Sequence, residues 1–292
     1  MALYSCKCSQ QEIKRPGRVQ HFHCEGCNET VVGGTAISRP MRRRLTKAVW
    51  KPASAGALVE FIQEQTLCVA EDVSVGSDLG QAILDCLGVQ RDFDAIHRNM
   101  GYVIGRGGFA SSDFKKKGAL RRACHRVLNP VQTEVMYNKN ENHPTVQGKL
   151  IETEFAHRAS ERVTCDLIST EKKRTVANHP LLGTAYHVST DGVVESSLPL
   201  EIKSRVDLMN GSKGRGHIRP TLHQMAMQAF ALGVDEGVLL HVERDLTGQG
   251  SYQVIRIGNL VEYHIQAVKG WMSHDEELKG LLNALPRSDG HV

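Results

Sequence analysis

Two short segments in the second half of the chain place charged side chains among apolar ones. Asp191 follows a run of alternating residues, and Glu201 and Lys203 flank Ile202 in a second apolar run. Successive side chains of a β-strand alternate between the faces of the sheet, so Glu201 and Lys203 share one face while Ile202 packs on the other. Charged side chains are rarely buried unless they are paired or bind a metal. We therefore expect these residues to carry chemistry.

Asp191 can reach the same face as Glu201 if the two strands pair through the intervening turn, residues 195–197. Two carboxylates that flank one point bind a hard divalent cation such as Mg²⁺ or Mn²⁺, which prefers oxygen ligands and keeps some of its water. Lys203 would then contact a phosphate held there or the water that attacks it. On an exposed strand the same residues would form only a solvated ion pair, and the apolar neighbours favour the metal site.

The elements that must position these residues follow from the hydrophobic periodicity. In the first half, residues 54–129 are predicted to be mostly helical, with helices over 57–62, over 79–87 after the cap Ser77-Asp78, and over 112–129. The second half is predicted to contain a helix over 148 to about 168, strands over 185–194 and 198–204, a helix over 221–232, strands over 237–243 and 252–257, and one long amphipathic helix over 261–285. The predicted fold class is therefore α/β, with a mixed sheet of four or five strands flanked by helices.

Several stretches of the chain carry many basic residues and few acidic ones. Residues 31–59 contain no acid, and residues 106–126 contain only Asp113. The glycine-rich loop of residues 205–220 includes Lys213, Arg215 and Arg219. Such a loop beside an active site offers positive charge and backbone amides to a phosphate backbone. These stretches favour a polyanionic partner, and the alternatives are a solvated face or a mobile solvent loop.

The first thirty positions hold four of the eight cysteines, at the paired spacings of a structural zinc site: Cys6, Cys8, Cys24 and Cys27. Too few apolar residues lie there for an independent core, and a bound metal is the usual remedy in so small a unit. His21 or His23 could replace one cysteine. An iron–sulfur cluster is the alternative to zinc.

The last half of the chain resembles the PD-(D/E)XK nucleases, and within them the phage lambda exonuclease or YqaJ-type viral recombinase family. The resemblance rests on these features in the family's order: Gly148-Lys-Leu-Ile-Glu152 opening a helix, Ser189-Thr-Asp-Gly192, Leu200-Glu-Ile-Lys203, His223-Gln224 with Gln228 on the next helix, and closing strands at residues 238–245 and 252–257. Thr190 departs from the pattern, because proline commonly precedes the acid. That position shapes a turn and carries no chemistry.

This resemblance implies a restriction-endonuclease-like core that hydrolyses DNA phosphodiester bonds with one or two Mg²⁺ or Mn²⁺ ions. The implied site residues are Asp191, Glu201, the carbonyl of Ile202 and Glu152 as metal ligands, with Lys203 and Gln224 as catalytic residues beside them. The alternatives are an exposed first-turn acid for Glu152 and an interhelix hydrogen bond for Gln224. The nearest subfamily further implies 5′-to-3′ digestion of linear duplex DNA, a homotrimer, and a single-strand annealing protein as partner.

We expect three regions: a zinc knuckle at residues 1–35, a basic, mostly helical segment at 36–130, and a nuclease core at 131–292. No stretch approaches the roughly 18 consecutive apolar residues of a membrane span, and the first residues lack the apolar core of a secretory signal. The expected location is therefore inside a cell, in cytoplasm or nucleus, with no membrane partner. The alternative functions are a structure-selective endonuclease, an RNA nuclease, or a non-enzymatic nucleic-acid-binding protein on a nuclease fold.

Overall fold

The computed structural model describes the parts of the chain that form regular structure and their short connections. These are residues 2–5, 12–15, 21–24, 29–32, 50–53, 56–87, 101–104, 108–129, 134–137, 167–169, 174–206, 215–244 and 250–285, with the helical residues 148, 151, 152, 155, 156 and 158–160. The strands are β1 (Ala2–Ser5), β2 (Glu12–Arg15), β3 (His21–Cys24), β4 (Glu29–Val32), β5 (Trp50–Pro52), β6 (Val69–Asp72), β7 (Gly101–Ile104), β8 (Phe109–Ala110), β9 (Glu134–Tyr137), β10 (Ile168–Ser169), β11 (Arg174–Asn178), β12 (Ala185–Ser189), β13 (Gly192–Val194), β14 (Leu198–Val206), β15 (Gly237–Arg244) and β16 (Gly250–Gly258). The helices are α1 (Ala57–Gln65), α2 (Asp78–Cys86), α3 (Lys117–Leu128), α4 (Ile218–Ala231), α5 (Leu260–Ser273) and α6 (Glu276–Ala284), with 3-10 turns at Ser111–Lys115 and Arg215–His217.

A mixed seven-stranded sheet forms the centre of the described fold. The sequence predicts a mixed sheet, but one of only four or five strands. Its order is β10-β13-β14-β15-β16-β5, and β6 pairs with a second part of β16. β14 runs parallel to β15, whereas β13 and β16 run antiparallel to their neighbours β14 and β15. Between β13 and β14, Glu195 and Ser196 have φ angles of 48° and 67°, and the Ser197 N–H donates to the Val194 carbonyl at 3.2 Å. The predicted turn at residues 195–197 is therefore confirmed.

Alternating side chains of the sheet divide the core between its two faces. On one face Leu239 and Ile255 pack with the helix residues Leu222 and Leu260. The opposite face carries Leu200, Ile202, Leu240 and Val254, which pack with Ile83 of α2 and Phe155. Burying one such aliphatic or aromatic side chain contributes about 1.5–3 kcal/mol. Both faces are thus covered, which leaves little room for an unpaired charge within the sheet.

Local sequence signals set several helix ends. The Ser77 side chain accepts a hydrogen bond from the Gly80 N–H at 2.9 Å, so α2 begins at the predicted cap. A side chain at Gly80 would lie 2.2 Å from the Val73 carbonyl oxygen, which explains the glycine there. The helix predicted over residues 112–129 consists instead of the 3-10 turn Ser111–Lys115 and α3, because Lys116 between them has extended backbone angles.

The predicted single helix over residues 261–285 is wrong. It is divided into α5 and α6 at Asp275, whose backbone is not helical and whose carboxylate accepts a hydrogen bond from the Leu278 N–H at 3.0 Å. An aspartate in this position caps a new helix. The amphipathic pattern continues across the break, so periodicity alone did not reveal it.

Several described elements before residue 130 pair or pack with elements of the predicted nuclease core. β5 and β6 pair with β16 and enlarge the sheet beyond the predicted four or five strands. α3 packs against α6, and the 3-10 turn Ser111–Lys115 packs against α4. Within the predicted basic segment, residues 36–130, the described residues form the helices α1, α2 and α3, the 3-10 turn and the strands β5 to β8. The division of the chain into three regions stays a prediction.

The described residues also form three smaller sheets. β11-β12-β8 is three-stranded, β1 pairs with β2, and β3-β4-β9-β7 is four-stranded. The last sheet joins residues from the predicted knuckle, in β3 and β4, to β7 and β9 from later in the chain. Cys24 ends β3, but its side chain lies outside the described residues, as do Cys6, Cys8 and Cys27. None of the helices within the described ranges combines the length and apolarity that crossing a membrane requires.

Candidate metal-binding active site

Glu201 lies in the middle of β14 and is only 1% exposed. Its neighbours Leu200 and Ile202 point to the opposite face, so the carboxylate points toward α4. Gln224 Nε2 donates to Oε1 of Glu201 at 2.9 Å, and Gln228 Nε2 donates to Oε2 at 2.7 Å. These two glutamines stand one helical turn apart on the same side of α4. The helix thus satisfies both oxygens of a buried acid.

Lys203, two residues further along β14, forms an ion pair with Oε1 of Glu201. Burial raises the pKa of Glu201, and the charge of Asp191 raises it too, whereas Lys203 opposes both. Burial by itself lowers the pKa of Lys203, but the charges of Glu201, Asp191 and Glu152 outweigh that effect and hold it above its ordinary value. Lys203 is therefore a fixed cation.

Asp191 is held between β12 and β13, at the edge of β14. Its N–H donates to the Leu200 carbonyl at 3.2 Å, and its Oδ2 accepts a hydrogen bond from the Ile202 N–H at 3.0 Å. The pairing of β13 with β14 ends where Gly192 faces Leu200, so the Ile202 N–H on that edge is left for the carboxylate. A side chain at Gly192 would come within 2.9 Å of the Ser169 carbonyl oxygen. Glycine at this position therefore lets β10 approach and keeps Asp191 in place.

The donors brought together here suit a hard divalent cation. Asp191 and Glu201 supply carboxylate oxygens. The carbonyl of Ile202 faces the Asp191 side, because the N–H and C=O of one strand residue point to the same edge. No set of three or more His, Cys, Asp and Glu side chains surrounds one metal position in the described part of the chain. Mg²⁺ nevertheless needs few protein ligands because it keeps several waters, so two carboxylates and one carbonyl are compatible with it.

A pocket of about 460 Å³ opens beside Lys203 and Gln224. Its lining is Lys115, Lys116, Lys203, Ser204, Gly216, His217, Pro220, Thr221 and Gln224. Burial lowers the pKa of Lys115, and the nearby Lys203 and Lys116 lower it further. The concentration of positive charge in an open, polar cavity fits it to bind an anion.

The predicted site residues do not all reach this centre. Glu152 is half-buried in the helical stretch near residue 150, and its negative charge helps to raise the pKa of Lys203. Arg219 is exposed on α4, where it donates to the Gln65 side chain at 3.1 Å and does not line the pocket. Arg215 belongs to a described 3-10 turn, but its side chain lies outside the described residues, as does all of Lys213.

The sequence alone does not predict the roles of three residues in the site. Lys115 and Lys116 belong to a basic run in the sequence, and the structure brings them to the pocket through the packing of the 3-10 turn on α4. Gln228 also donates to the Ser189 carbonyl at 3.1 Å, so it ties the end of β12 to Glu201. The spacing of Gln224 and Gln228 on one helix face is the signal that could have indicated this role.

The sequence matches no protein-family model and no curated protein sequence. Among solved structures, the chain is similar to the crystal structure of an alkaline exonuclease (LHK-Exo) from Laribacter hongkongensis, with 17% identity, a TM-score of 0.35, and coverage of 61% of this chain and 91% of that chain. The complex of LHK-Exo with dAMP gives 16% identity and a TM-score of 0.37 over 61% and 90% of the two chains. The crystal structure of SSO0001 gives 9% identity and a TM-score of 0.35 over 68% and 88%. Likeness at this level establishes neither a common fold nor a common reaction.

Proposed function

We propose that this chain is a metal-dependent nuclease that hydrolyses DNA phosphodiester bonds. One observation carries the proposal: the buried Glu201 is held against Lys203 on β14, with Asp191 hydrogen-bonded to the next residue of the same strand. Burying an ionised acid costs several kcal/mol of stability unless the acid is paired or binds a metal. A single acid is enough to pair with Lys203, and here two acids lie near it. A purely structural pair would not require the second carboxylate.

The proposed ligands of Mg²⁺ or Mn²⁺ are Asp191, Glu201 and the Ile202 carbonyl, with Glu152 as a further acid. When bound there, a divalent cation would polarise the phosphate, lower the pKa of a bound water and stabilise the leaving 3′ oxygen. Gln224 and Gln228 orient Glu201 by occupying defined lone pairs. Lys203 remains protonated and presents a positive charge to the scissile phosphate and the attacking water.

Nucleic acid is the substrate that best suits the pocket beside this centre. Lys115 and Lys116 line it together with Lys203, so a phosphate backbone entering the pocket would meet three ammonium groups before reaching the acids. Contacts of this kind release counterions from DNA, and binding should weaken as salt rises. The predicted zinc knuckle would be an accessory binding unit.

The decisive experiment compares linear duplex DNA with a covalently closed circle, each incubated with purified protein and Mg²⁺ or Mn²⁺. We expect the linear DNA to be degraded and the circle to be spared, as for an exonuclease. Glu201→Gln, which keeps the shape of the side chain but removes its charge and replaces one acceptor oxygen by an amide donor, is the matched inactive control. Absence of cleavage with either metal would reject the nuclease, and rapid nicking of the circle would favour an endonuclease.

End recognition can be tested on the same DNA. A terminal phosphate carries more charge than an internal one and binds better beside clustered cations, so we propose that 5′-phosphorylated duplex is degraded faster than 5′-hydroxyl duplex. Lys115→Ala and Lys116→Ala should narrow this difference because these lysines line the pocket. Arg219→Ala, which removes a basic residue that does not line it, is the matched control. Equal rates on the two ends would refute end recognition.

A non-enzymatic nucleic-acid-binding protein is the second candidate. It is favoured by the complete hydrogen bonding of Glu201, whose two oxygens are already occupied by Lys203, Gln224 and Gln228. A carboxylate with this partner set can serve purely as a structural centre. Salt-sensitive DNA binding without cleavage in either metal would establish this alternative.

A further inference from the structure

Two histidines form a pair in the wall of the pocket. Nε2 of His217 lies 3.1 Å from Nε2 of His241, and the rings are stacked with centroids 5.2 Å apart. His217 lines the pocket. His241 is 5% exposed on β15 and faces Lys203 in the register of β14 and β15. One Nε2 must donate and the other accept, so the contact holds a single proton between the two rings.

Three lysines and one acid lie near this pair, and the acid is Glu201, which forms an ion pair with Lys203 on the same face of β14. Lys115 and Lys116 reach the pocket from the 3-10 turn, and Lys203 reaches it from β14. They are close enough for Lys203 and Lys116 to lower the pKa of Lys115, in addition to its burial. A second proton on the histidine pair would add positive charge to this wall, so the cations disfavour it.

On the β16 side, the neighbour of His241 is polar but uncharged. Gln253 of β16 faces His241 in the antiparallel register, and its Nε2 donates to Oδ2 of Asp72 at 3.0 Å. The negative charge of Asp72 is thus engaged by an amide rather than by an imidazolium.

We propose that a phosphate entering the pocket is bound together with a proton taken up by the His217–His241 pair, which makes His217 a phosphate-contacting residue. The phosphate charge offsets the three lysines and favours the imidazolium form. The proton comes from solvent and adds to the accepting ring nitrogen; no covalent bond of the phosphate changes. The doubly protonated pair loses its Nε2···Nε2 hydrogen bond, so an N–H of His217 becomes available to the phosphate.

This inference rests on the proposed function only for the identity of the anion, a nucleic-acid phosphate. Its measurable consequence is a binding affinity that depends on pH. Because the complex holds more protons than the free protein, the affinity should fall as pH rises, by up to about tenfold per pH unit for one proton. Lys115, whose pKa burial and the neighbouring lysines lower, could also take up protons, so a histidine variant must separate the two sources.

The test uses the full-length protein with a short duplex oligonucleotide in EDTA, where no cleavage complicates binding. Calorimetry in two buffers of different ionisation enthalpy measures the protons taken up on binding near neutral pH. We expect a net uptake in the wild type and its loss in His217→Gln, which can still hydrogen-bond to His241 but does not titrate there. His274→Gln, an exposed histidine outside the pocket lining, is the matched control and should retain the uptake.

Each outcome decides the proposal. Binding without proton uptake by the wild type overturns it, and this measurement needs no variant to fold. Uptake that persists in a folded His217→Gln also overturns it. The nuclease proposal is judged separately by cleavage with Mg²⁺, so a protein that takes up protons on DNA binding without cleaving DNA would support this inference and reject only that function.

Discussion

Acidification should unfold this protein through a row of three buried histidines, of which His223 lies on α4 and His264 on α5. His179, His223 and His264 are 1%, 5% and 0% exposed. Nε2 of His179 lies 2.9 Å from Nε2 of His264, and Nδ1 of His264 lies 3.2 Å from Nδ1 of His223. Because the rings contact one another directly, a proton added to one of them affects its neighbour. The row is therefore a sensitive point for changes of pH.

The hydrogen bonds determine where the protons lie. The Leu181 and Leu182 N–H groups both donate to Nδ1 of His179, at 3.1 and 3.2 Å, so this nitrogen accepts and Nε2 carries the proton. His264 must then accept at Nε2 and donate from Nδ1 to His223. All three rings are neutral in this arrangement. One further proton would turn an acceptor into a donor and break a hydrogen bond.

The effect on stability follows from the pKa values. Burial lowers the pKa of His179 and of His223 from 6.5 to about 4, and burial with the two neighbouring rings lowers that of His264 to about 2. The unfolded chain takes up protons at the ordinary pKa, so stability is full above pH 6.5 and is lost as pH falls toward 4. Between about pH 7.5 and 5 each histidine contributes a loss of about 2 kcal/mol, or about 6 kcal/mol for the row.

A loss of this size is comparable to the whole stability of many domains. Urea unfolding followed by circular dichroism, repeated across this pH range, measures it directly. His223→Gln should reduce the loss by about 2 kcal/mol, whereas His274→Gln, at an exposed position, should leave it unchanged. Parallel stability curves for the wild type and His223→Gln would refute the reasoning, whatever their absolute values.

Three further predictions concern the proposed site and the cysteines. Asp191→Asn, Glu201→Gln and Lys203→Ala should each reduce cleavage about 100-fold or more, and double variants should be little worse than single ones because the residues act as a unit; full activity of Lys203→Ala in a DNA cleavage assay would contradict the mechanism. Gln228→Leu should destabilise the fold by about 1–3 kcal/mol in urea unfolding, because a buried oxygen of Glu201 and the Ser189 carbonyl lose their donor. Gln266→Leu, at an exposed position, is its control. Equal stability of the two variants would contradict the stabilising role of Gln228. Elemental analysis should find about one zinc per chain, lost when two of the cysteines are replaced by serine; native protein without zinc or iron would rule out the knuckle. The residues concerned are Cys6, Cys8, Cys24 and Cys27.

The part of the site that lies on one strand could be predicted from the sequence. Leu200, Glu201, Ile202 and Lys203 alternate between apolar and charged, and alternation is a geometric property of any strand. The structure accordingly places Glu201 and Lys203 on one face. The turn at residues 195–197 is short enough for local chemistry to determine it, and it brings Asp191 close enough to β14 to accept a hydrogen bond from the Ile202 N–H.

The contacts between distant segments could not be predicted in this way. β6 pairs with β16 although more than 180 residues separate Asp72 from Ile255, and a four-residue strand carries too little periodicity to be recognised. His217 and His241 come from a helix start and a strand, and neither local sequence marks the other as its partner. The sequence is equally compatible with Lys115 on a solvated helix face. Tertiary packing determines that Lys115 lines the pocket instead.

Burial of Glu201 explains why its partners must be so complete. An ionised carboxylate that loses one partner in the interior costs about 3–5 kcal/mol, so Lys203, Gln224 and Gln228 stabilise the fold and fix the position of the carboxylate. The same burial raises the pKa of Glu201, and a second positive charge nearby would reverse that shift. A divalent cation between Asp191 and Glu201 would therefore strengthen the ionised form and relieve Lys203 of its role as counter-ion, leaving its ammonium group available to a phosphate.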